Sequence, residues 1–219
     1  MNVQPRRLLR ADEPAAIDVL AEAFVNDPLF VRLFGGIDDG VRASMVRSFL
    51  DGVVGMNRWS GGLRLGVDAP SSGEMVSAGG ALAAVALVEN PRVGWTGVRG
   101  RLAMLRFLPA TVALPRACVE MVNRYGTAVR RAAPSEPHHY LTMIGVRETH
   151  QGQGMASALL AAVVVAADAD PTSTGVALDT ENEENVALYE HRGFTMTSLK
   201  LVDDLPVYCM FRPRRNGRR

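Results

Sequence analysis

The chain has 219 residues, 47% of them hydrophobic, with 24 basic against 23 acidic side chains. A chain of this length buries a full core, and its even charge argues against a dedicated nucleic-acid surface; a single domain over residues 1–212 is expected, with 213–219 a basic, flexible tail. The longest apolar runs, Gly79 to Val88 and Ala156 to Ala167, fall short of the ~20 residues a spanning helix needs, and Met1 to Arg10 carries no secretory signal, so a cytoplasmic protein without a membrane segment is expected.

In chain order, Asp12 is placed to cap a helix with Pro14 in its first turn, and Ile17, Leu20, Ala21 and Phe24 give that helix one apolar face before Asn26-Asp27-Pro28 ends it. A second helix is expected from about Asp39 to Gly52, with Val41, Met45, Phe49 and Leu50 inward. Gly62 to Val67 and Ala81 to Val88 read as strands, parted by the turn-rich Ala69-Pro70-Ser71-Ser72-Gly73, and pair as a meander. Trp95 to Arg131 lacks strand alternation and places Leu102, Leu105, Leu108, Val112 and Leu114 near helical intervals, which predicts a helical insertion of two helices broken near Pro115. Cys118 and Cys209 are far apart and lack metal spacing, the pattern of buried thiols in a reducing compartment, and no metal site is expected.

The densest information lies between residues 139 and 169. His139 to Val146 is short and rich in apolar and branched residues, as a buried strand is. After it come Gln151-Gly152-Gln153-Gly154-Met155-Ala156 and then a helical stripe of Ala156, Leu159, Leu160, Val163, Val164 and Ala167. Glycines at 152 and 154 let main-chain N–H groups approach a ligand, and the unpaired N–H groups and dipole of a helix start favour negative charge. A P-loop is excluded, because Gly154 is followed by Met155 and Ala156 where Lys and Ser or Thr are needed; a dinucleotide fingerprint is weakened by Ser157 in place of its third glycine. On turn chemistry alone, a plain strand-to-helix connection stays open beside an anion cradle.

The run Val146-Arg147-Glu148-Thr149-His150-Gln151-Gly152-Gln153-Gly154-Met155-Ala156 resembles the acetyl-coenzyme A signature of the GNAT acyltransferase superfamily: Gln or Arg, two residues, Gly, one residue, then Gly or Ala. A second block, Ala177 to Phe194, resembles the same family's following strand and helix, ending in the Tyr-x-x-x-Gly-Phe turn at Tyr189, Gly193 and Phe194. The likeness covers residues 138 to 212 well and the first half in layout only. His139 to Val146 and the segment before it are similar to the branch that includes puromycin N-acetyltransferase.

The resemblance implies an α/β (α+β) fold with a mixed, mostly antiparallel twisted sheet flanked by helices, whose central strands splay to admit the pantetheine arm of acetyl-coenzyme A. It implies that Ile144, Gly145 and Val146 meet the arm through backbone, that Gln151, Gly152, Gln153, Gly154, Met155 and Ala156 hold the pyrophosphate, and that Asn185 reaches the arm. Arg147 either adds charge there or is an ordinary surface arginine. Tyr189 is the implied general acid: a phenol, pKa near ~10, supplies a proton to the departing thiolate. The activity implied is acetyl transfer to an amine of a small molecule; a non-catalytic coenzyme A-binding regulatory protein and a protein N-acetyltransferase are the alternatives, and a homodimer is open.

The residue that deprotonates the amine is not legible. His138, His139, Tyr140 and Glu89 are candidates, and a chain of waters is an alternative. Glu181, Glu183 and Glu184 read as carboxylates favoured by a helix start, stabilising rather than catalytic. Phe24 to Phe34 and Trp95 to Arg131 are expected to supply the acceptor wall, with Phe30, Leu33, Phe34 and Trp95 its apolar lining or, equally, core.

Overall fold

The computed structural model describes residues 3–70, 81–91 and 115–215. Seven strands form one sheet: β1 (Arg6–Arg7), β2 (Leu63–Asp68), β3 (Leu82–Glu89), β4 (His139–Val146), β5 (Gly175–Thr180), β6 (Thr195–Val202) and β7 (Leu205–Pro213). Their spatial order is β1-β2-β3-β4-β5-β7-β6, and every neighbouring pair is antiparallel except β4 with β5. The mixed, mostly antiparallel sheet and the meander of β2 and β3 match expectation.

Helices cover both faces. On one lie α1 (Glu13–Phe24), α2 (Pro28–Phe34), α3 (Asp39–Ser60) and α4 (Arg116–Ala132). Their core joins Leu20, Phe30, Phe34, Leu50 and Val53 to Leu82, Val85 and Leu87 of the sheet. On the other lie α5 (Met155–Ala169) and α6 (Glu184–Glu190), where Leu159, Leu160, Val163 and Tyr189 pack on Ala84, Ala86, Val88, Leu141 and Leu178. From Ala84 to Val88 successive side chains of β3 go to opposite cores, so a strand hidden on both faces reads as one continuous apolar run.

Three expectations needed correction. The second helix continues past Gly52 to Ser60, because burying Val53, Val54 and Asn57 outweighs the cost of about 1 kcal/mol for each interior glycine; Gly61, at φ 74°, ends it. Its start also faces differently, with Val41 exposed. Asn26-Asp27-Pro28 ends α1 but also opens a further helix: the Asp27 carboxylate accepts from Leu29 N at 3.0 Å and Pro28 takes the first helical position. Phe30, Leu33 and Phe34 of that helix are core, one of the two readings left open for them, with the Phe30 ring 6.1 Å from Phe24 and 5.4 Å from Phe49.

Of the two helices expected over Trp95 to Arg131, α4 is present, broken from what precedes it at Pro115; the first, with Trp95, lies outside the described residues. Cys118 and Cys209 are free and buried, and Cys118 Sγ donates to Leu33 O at 3.0 Å. Where β7 ends, Arg212 pairs with Asp168 of α5 at 2.9 and 3.0 Å, and Arg215 N donates to the same carboxylate at 2.9 Å. No helix among the described residues is long and apolar enough to cross a membrane.

Candidate active site

The two central strands stay together for only part of their length. His139, Tyr140 and Leu141 of β4 stand opposite Val176, Ala177 and Leu178 of β5, and the pairing stops there. Beyond it β4 keeps to β3 and β5 keeps to β7. The departure coincides with an irregularity in β4: Leu141 faces Val88 and Met143 faces Leu87, which leaves Thr142 as an extra, bulged residue. The Thr142 hydroxyl oxygen is buried there without a hydrogen-bond partner among the described residues.

The exposed edge of β4 follows from its ladder. Arg147 N donates to Ala83 O of β3 at 2.9 Å, so Arg147 and Gly145 turn their main-chain groups toward β3, while Val146 and Ile144 turn theirs to the open gap. Gly145 has a separate reason to be glycine. A Cβ there would meet Ala23 Cβ at 2.9 Å and Leu20 Cδ2 at 3.2 Å, so its absence lets α1 cross β4 closely.

At the end of β4 the chain makes one 3-10 turn, Glu148–His150, and then the glycine loop. Gly152 (φ 73°) and Gly154 (φ 79°) are left-handed, and a Cβ on either would meet nothing within 4 Å; conformation, not crowding, calls for glycine here. Gly154 caps α5, and the first bond of that helix runs from Ala158 N to Gly154 O at 3.0 Å, which leaves the Met155, Ala156 and Ser157 amides without intrahelical acceptors. Gln151 and Gln153 are exposed and Met155 is buried. Arg147 is already engaged, with Nε donating to Leu82 O at 2.9 Å and Nη1 paired to Glu22 of α1, whose other oxygen accepts from Glu148 N at 3.0 Å.

Across the gap, Asn185 sits in the first turn of α6 and its amide donates to Thr180 Oγ1 at 3.3 Å. The helix-start bond falls to Asn182, whose side chain accepts from Glu184 N at 2.9 Å. Tyr189, four residues after Asn185, is 5% exposed and its ring meets Phe194 edge to face at 5.9 Å. Its hydroxyl has no hydrogen-bond partner among the described residues. Burial, with the charges of Asp179, Glu181 and Asp27 nearby, raises the phenol's pKa further, so it keeps its proton throughout the neutral range.

A cluster that the sequence did not reveal lies beside it. Asp179 on β5 and Glu181 just after it both meet the Tyr125 hydroxyl of α4, and Asp179 also meets the Tyr140 hydroxyl of β4. Desolvation raises the pKa of Asp179; desolvation and then the Asp179 and Asp27 charges push Glu181 up to about 8; desolvation pushes Asp27 up to about 6. Both tyrosines are raised well above 10 by desolvation and then by Asp179. Glu183 and Glu184 are exposed, as helix-start carboxylates usually are, whereas Glu181 is set apart from them by its contact with α4. Asp179 stands in the strand of the Ala177 to Phe194 stretch and reads there as an ordinary strand residue; a carboxylate on a strand whose neighbours are buried is its only local signal.

The expected proton acceptors divide. Tyr140 belongs to this cluster; His139 is buried at the closed end of the strand pair against Ser173 Oγ at 3.0 Å, its pKa lowered by desolvation. His138 Nδ1 lies 2.8 Å from Glu136 O in its own loop, its ring 6.3 Å from that of Tyr140. Glu89 ends β3 opposite Tyr140.

A family model described as "Acetyltransferase (GNAT) family" matches residues 115–194, the span that holds the glycine loop, the strand divergence and Tyr189. Solved structures of acetyltransferases share the fold. A crystal structure of the histone acetyltransferase HPA2 and related acetyltransferase from Corynebacterium glutamicum aligns with a TM-score of 0.69 at 24% identity, covering 98% of each chain. Arylalkylamine N-acetyltransferase 2 from Aedes aegypti aligns at 0.61 and 12% identity, over 98% of this chain and 100% of that one. PaiA N-acetyltransferase from Thermoplasma acidophilum, solved with coenzyme A, aligns at 0.53 and 13% identity over 97% and 99%. Residues 115–194 thus match the GNAT family's model, and the chain has the fold of these N-acetyltransferases.

Proposed function

We propose that this chain transfers an acetyl group from acetyl-coenzyme A to an amine of a small molecule by direct attack, with Tyr189 as general acid. The observation that carries the reading is the parting of β4 from β5 after Leu141, with unpaired main chain on one side and the unpartnered Tyr189 hydroxyl on the other. The coenzyme fits what is there. Ile144 and Val146 offer main-chain groups at the strand edge, as an extended amide-bearing arm requires, and the Thr142 hydroxyl lacks a partner beside them. The Gly152 to Ser157 turn offers amides and the positive end of a 15-residue helix to a pyrophosphate. Asn185, whose amide donates to Thr180 Oγ1 at the end of β5, would meet the arm from the opposite side of the gap.

When bound, the coenzyme supplies the activated acyl group. The chain's own residues orient it through backbone, keep water from the gap with Leu141, Met155 and Leu178, and hold one proton at Tyr189 Oη for the sulfur as it leaves. In the same reading residues 1–212 act as one domain. That one of the aligned proteins is named for arylalkylamines supports a small amine as acceptor.

Incubation with acetyl-coenzyme A and a panel of small amines plus a lysine-bearing peptide, with thiol release followed, tests the reading. Release with a small amine is expected, and Tyr189→Phe should bind coenzyme A as before and lose turnover about 100-fold or more. Coenzyme binding without release on any acceptor favours the regulatory alternative, and release on the peptide alone favours protein acetylation.

A further inference from the structure

The two edges of the sheet are guarded unequally. At one edge β1 is only Arg6 and Arg7, and a strand so short and so charged offers another strand little to pair with. At the other edge β6 runs from Thr195 to Val202, with Lys200 its only charge. Met196, Leu199 and Leu201 on it are 46%, 53% and 73% exposed. Among the described residues nothing pairs with the outer side of β6. A long open edge that carries apolar side chains is a template for a further strand, because half of its main-chain groups have no partner.

The hairpin fixes which groups face outward. Asp203 and Asp204, at φ 49° and 67°, form a two-residue turn that closes on the pair Val202 and Leu205. Val202 and Lys200 therefore turn their main chain to β7, while Leu201 and Leu199, opposite Pro206 and Tyr208, turn theirs to solvent. Pro206 agrees with this, since it has no N–H to give the residue opposite. The two ends of the strand carry opposite charge. Asp203 is held by Arg124, but Asp204 beside it is exposed and in no ion pair among the described residues. At the far end Arg192 is exposed and likewise in no ion pair among the described residues, and Arg215 Nη2 lies 3.3 Å from where a Gly193 Cβ would stand.

We propose that β6 pairs antiparallel with β6 of a second copy of this chain, about a two-fold axis at Leu199, joining the two sheets edge to edge. A two-fold axis perpendicular to the sheet sets the strand against its own reverse, so the interface is self-complementary. Outward main-chain groups must meet outward ones, which leaves two registers: Leu199 opposite Leu199, or Leu199 opposite Leu201. The second sets Lys200 against Lys200, a like-charge pair. The first sets Lys200 against Ser198 and gathers the Leu199 side chains of both copies between their Leu201 side chains. It also brings Asp204 of each copy near Phe194 of the other, beside Gly193 and the two arginines around it, so unlike charges meet at both ends. That pattern assigns the edge to a second copy, because only the strand's own reverse carries a cation and an anion at this spacing in the opposite order. The bulge at Thr197 bends the strand and ends the ladder beyond the axis. The inference is independent of the acetyl-transfer reading.

The test is the mass of the full chain in solution. Sedimentation equilibrium over about 1–100 μM should show twice the chain mass at the upper end, and the double variant Leu199→Lys, Leu201→Lys should dissociate at least about 100-fold more readily. Both side chains are exposed, so the variant should keep its fold, which circular dichroism checks. Asp204→Asn keeps a residue that tolerates positive φ; it should weaken the dimer about threefold to tenfold at about 50 mM salt and hardly at all at about 500 mM. An unaltered chain of single mass at about 100 μM, a dimer that survives both lysines, or an Asp204→Asn dimer unchanged at low salt overturns the proposal. Should the lysine variant misfold, hydrogen exchange of the unaltered protein decides. The Leu199 and Leu201 amides should exchange about tenfold more slowly at high than at low protein concentration, with Val202, bonded inside the hairpin, as the unchanged control; equal exchange of Leu199 and Leu201 at both concentrations sinks it.

Discussion

On the β4 side of the gap the groups that face it are main-chain: the edge at Ile144 and Val146, and the amides after Gly154. Toward α4 they are side chains, Asp27, Tyr125, Asp179 and Glu181, with Tyr140 from the part of β4 that stays paired with β5, drawn from two loops, a helix and two strands. A backbone surface suits a ligand that never varies, since its recognition depends on chain geometry and tolerates side-chain change. A side-chain surface suits a ligand that differs among relatives. In the proposed reading these are the coenzyme and the acceptor, so the two sides should respond to opposite kinds of substitution.

The largest effect is expected from Asp179→Asn. It keeps the shape but removes the charge that two phenols address. Acceptor kcat/KM should fall about 100-fold, roughly 2.7 kcal/mol of transition-state stabilisation, with coenzyme affinity unchanged. A coenzyme Kd that moves as far as kcat/KM would erase the division between the two sides.

Next is Gly154→Val, which leaves every side chain of the carboxylate cluster in place. A β-branched residue at φ 79° is strained, and nothing crowds its Cβ, so the backbone is the cause of any loss. Coenzyme Kd should rise about tenfold, and acceptor KM, measured at saturating coenzyme, should stay put. The matching control is Gln153→Ala, whose exposed side chain reaches only Thr149 O at 3.4 Å and whose loss should leave Kd within about twofold.

This division also explains what the sequence made legible. Gln151 to Ala156 is one contiguous loop whose glycines and following helix stripe encode its conformation, so the glycine turn and the strand before it stood out. Tyr189 and Asn185 stood out too, through a local Tyr-x-x-x-Gly-Phe spacing. The carboxylate cluster is built from positions as distant as Asp27 and Glu181, which only the fold brings together. Glu181 read as one of three helix-start carboxylates because charge near a helix start has an ordinary local explanation; its contact with Tyr125 lies 56 residues away in the chain. Asp27 was seen as a break and not as a cap, since Asn-Asp-Pro ends one helix with the residues that start another. The eight residues of α3 beyond Gly52 were hidden in the same way, by a glycine whose local cost tertiary packing overrides.

A smaller effect reads the carboxylate side through stability. Glu181 binds its proton up to about pH 8 when folded and only to about 4.5 when unfolded, so the folded state holds the extra proton between those values. Its contribution is present in full below pH 4.5 and is lost as the pH rises through 8. Glu181→Gln stays neutral throughout. Its Tm should therefore exceed that of the unaltered protein at pH 8.5 and match it near pH 4.5, read by thermal scans across that range. A difference that is the same at both ends would mean the glutamate is ionised in the fold, and the side-chain surface would then need another source of its proton.

The smallest expected effect tests the backbone side where a charge stands close to it. Arg147 follows the open edge of β4 and precedes the glycine loop, a natural place for a cation to meet phosphate. Its guanidinium is already shared between Leu82 O and Glu22, which in turn holds Glu148 N. Turning it to a ligand would break that connection between α1 and the loop, so Arg147 serves the loop's position more than its charge. Arg147→Ala should change coenzyme Kd less than about threefold, with a salt dependence equal to that of the unaltered protein, and cost at most about 1 kcal/mol of stability for a half-exposed pair. A tenfold loss of affinity that vanishes at high salt would instead place its charge on the coenzyme. Recognition on this side would then depend on a side chain as well, and the contrast with the carboxylate cluster would narrow to Ile144, Val146 and the amides of α5.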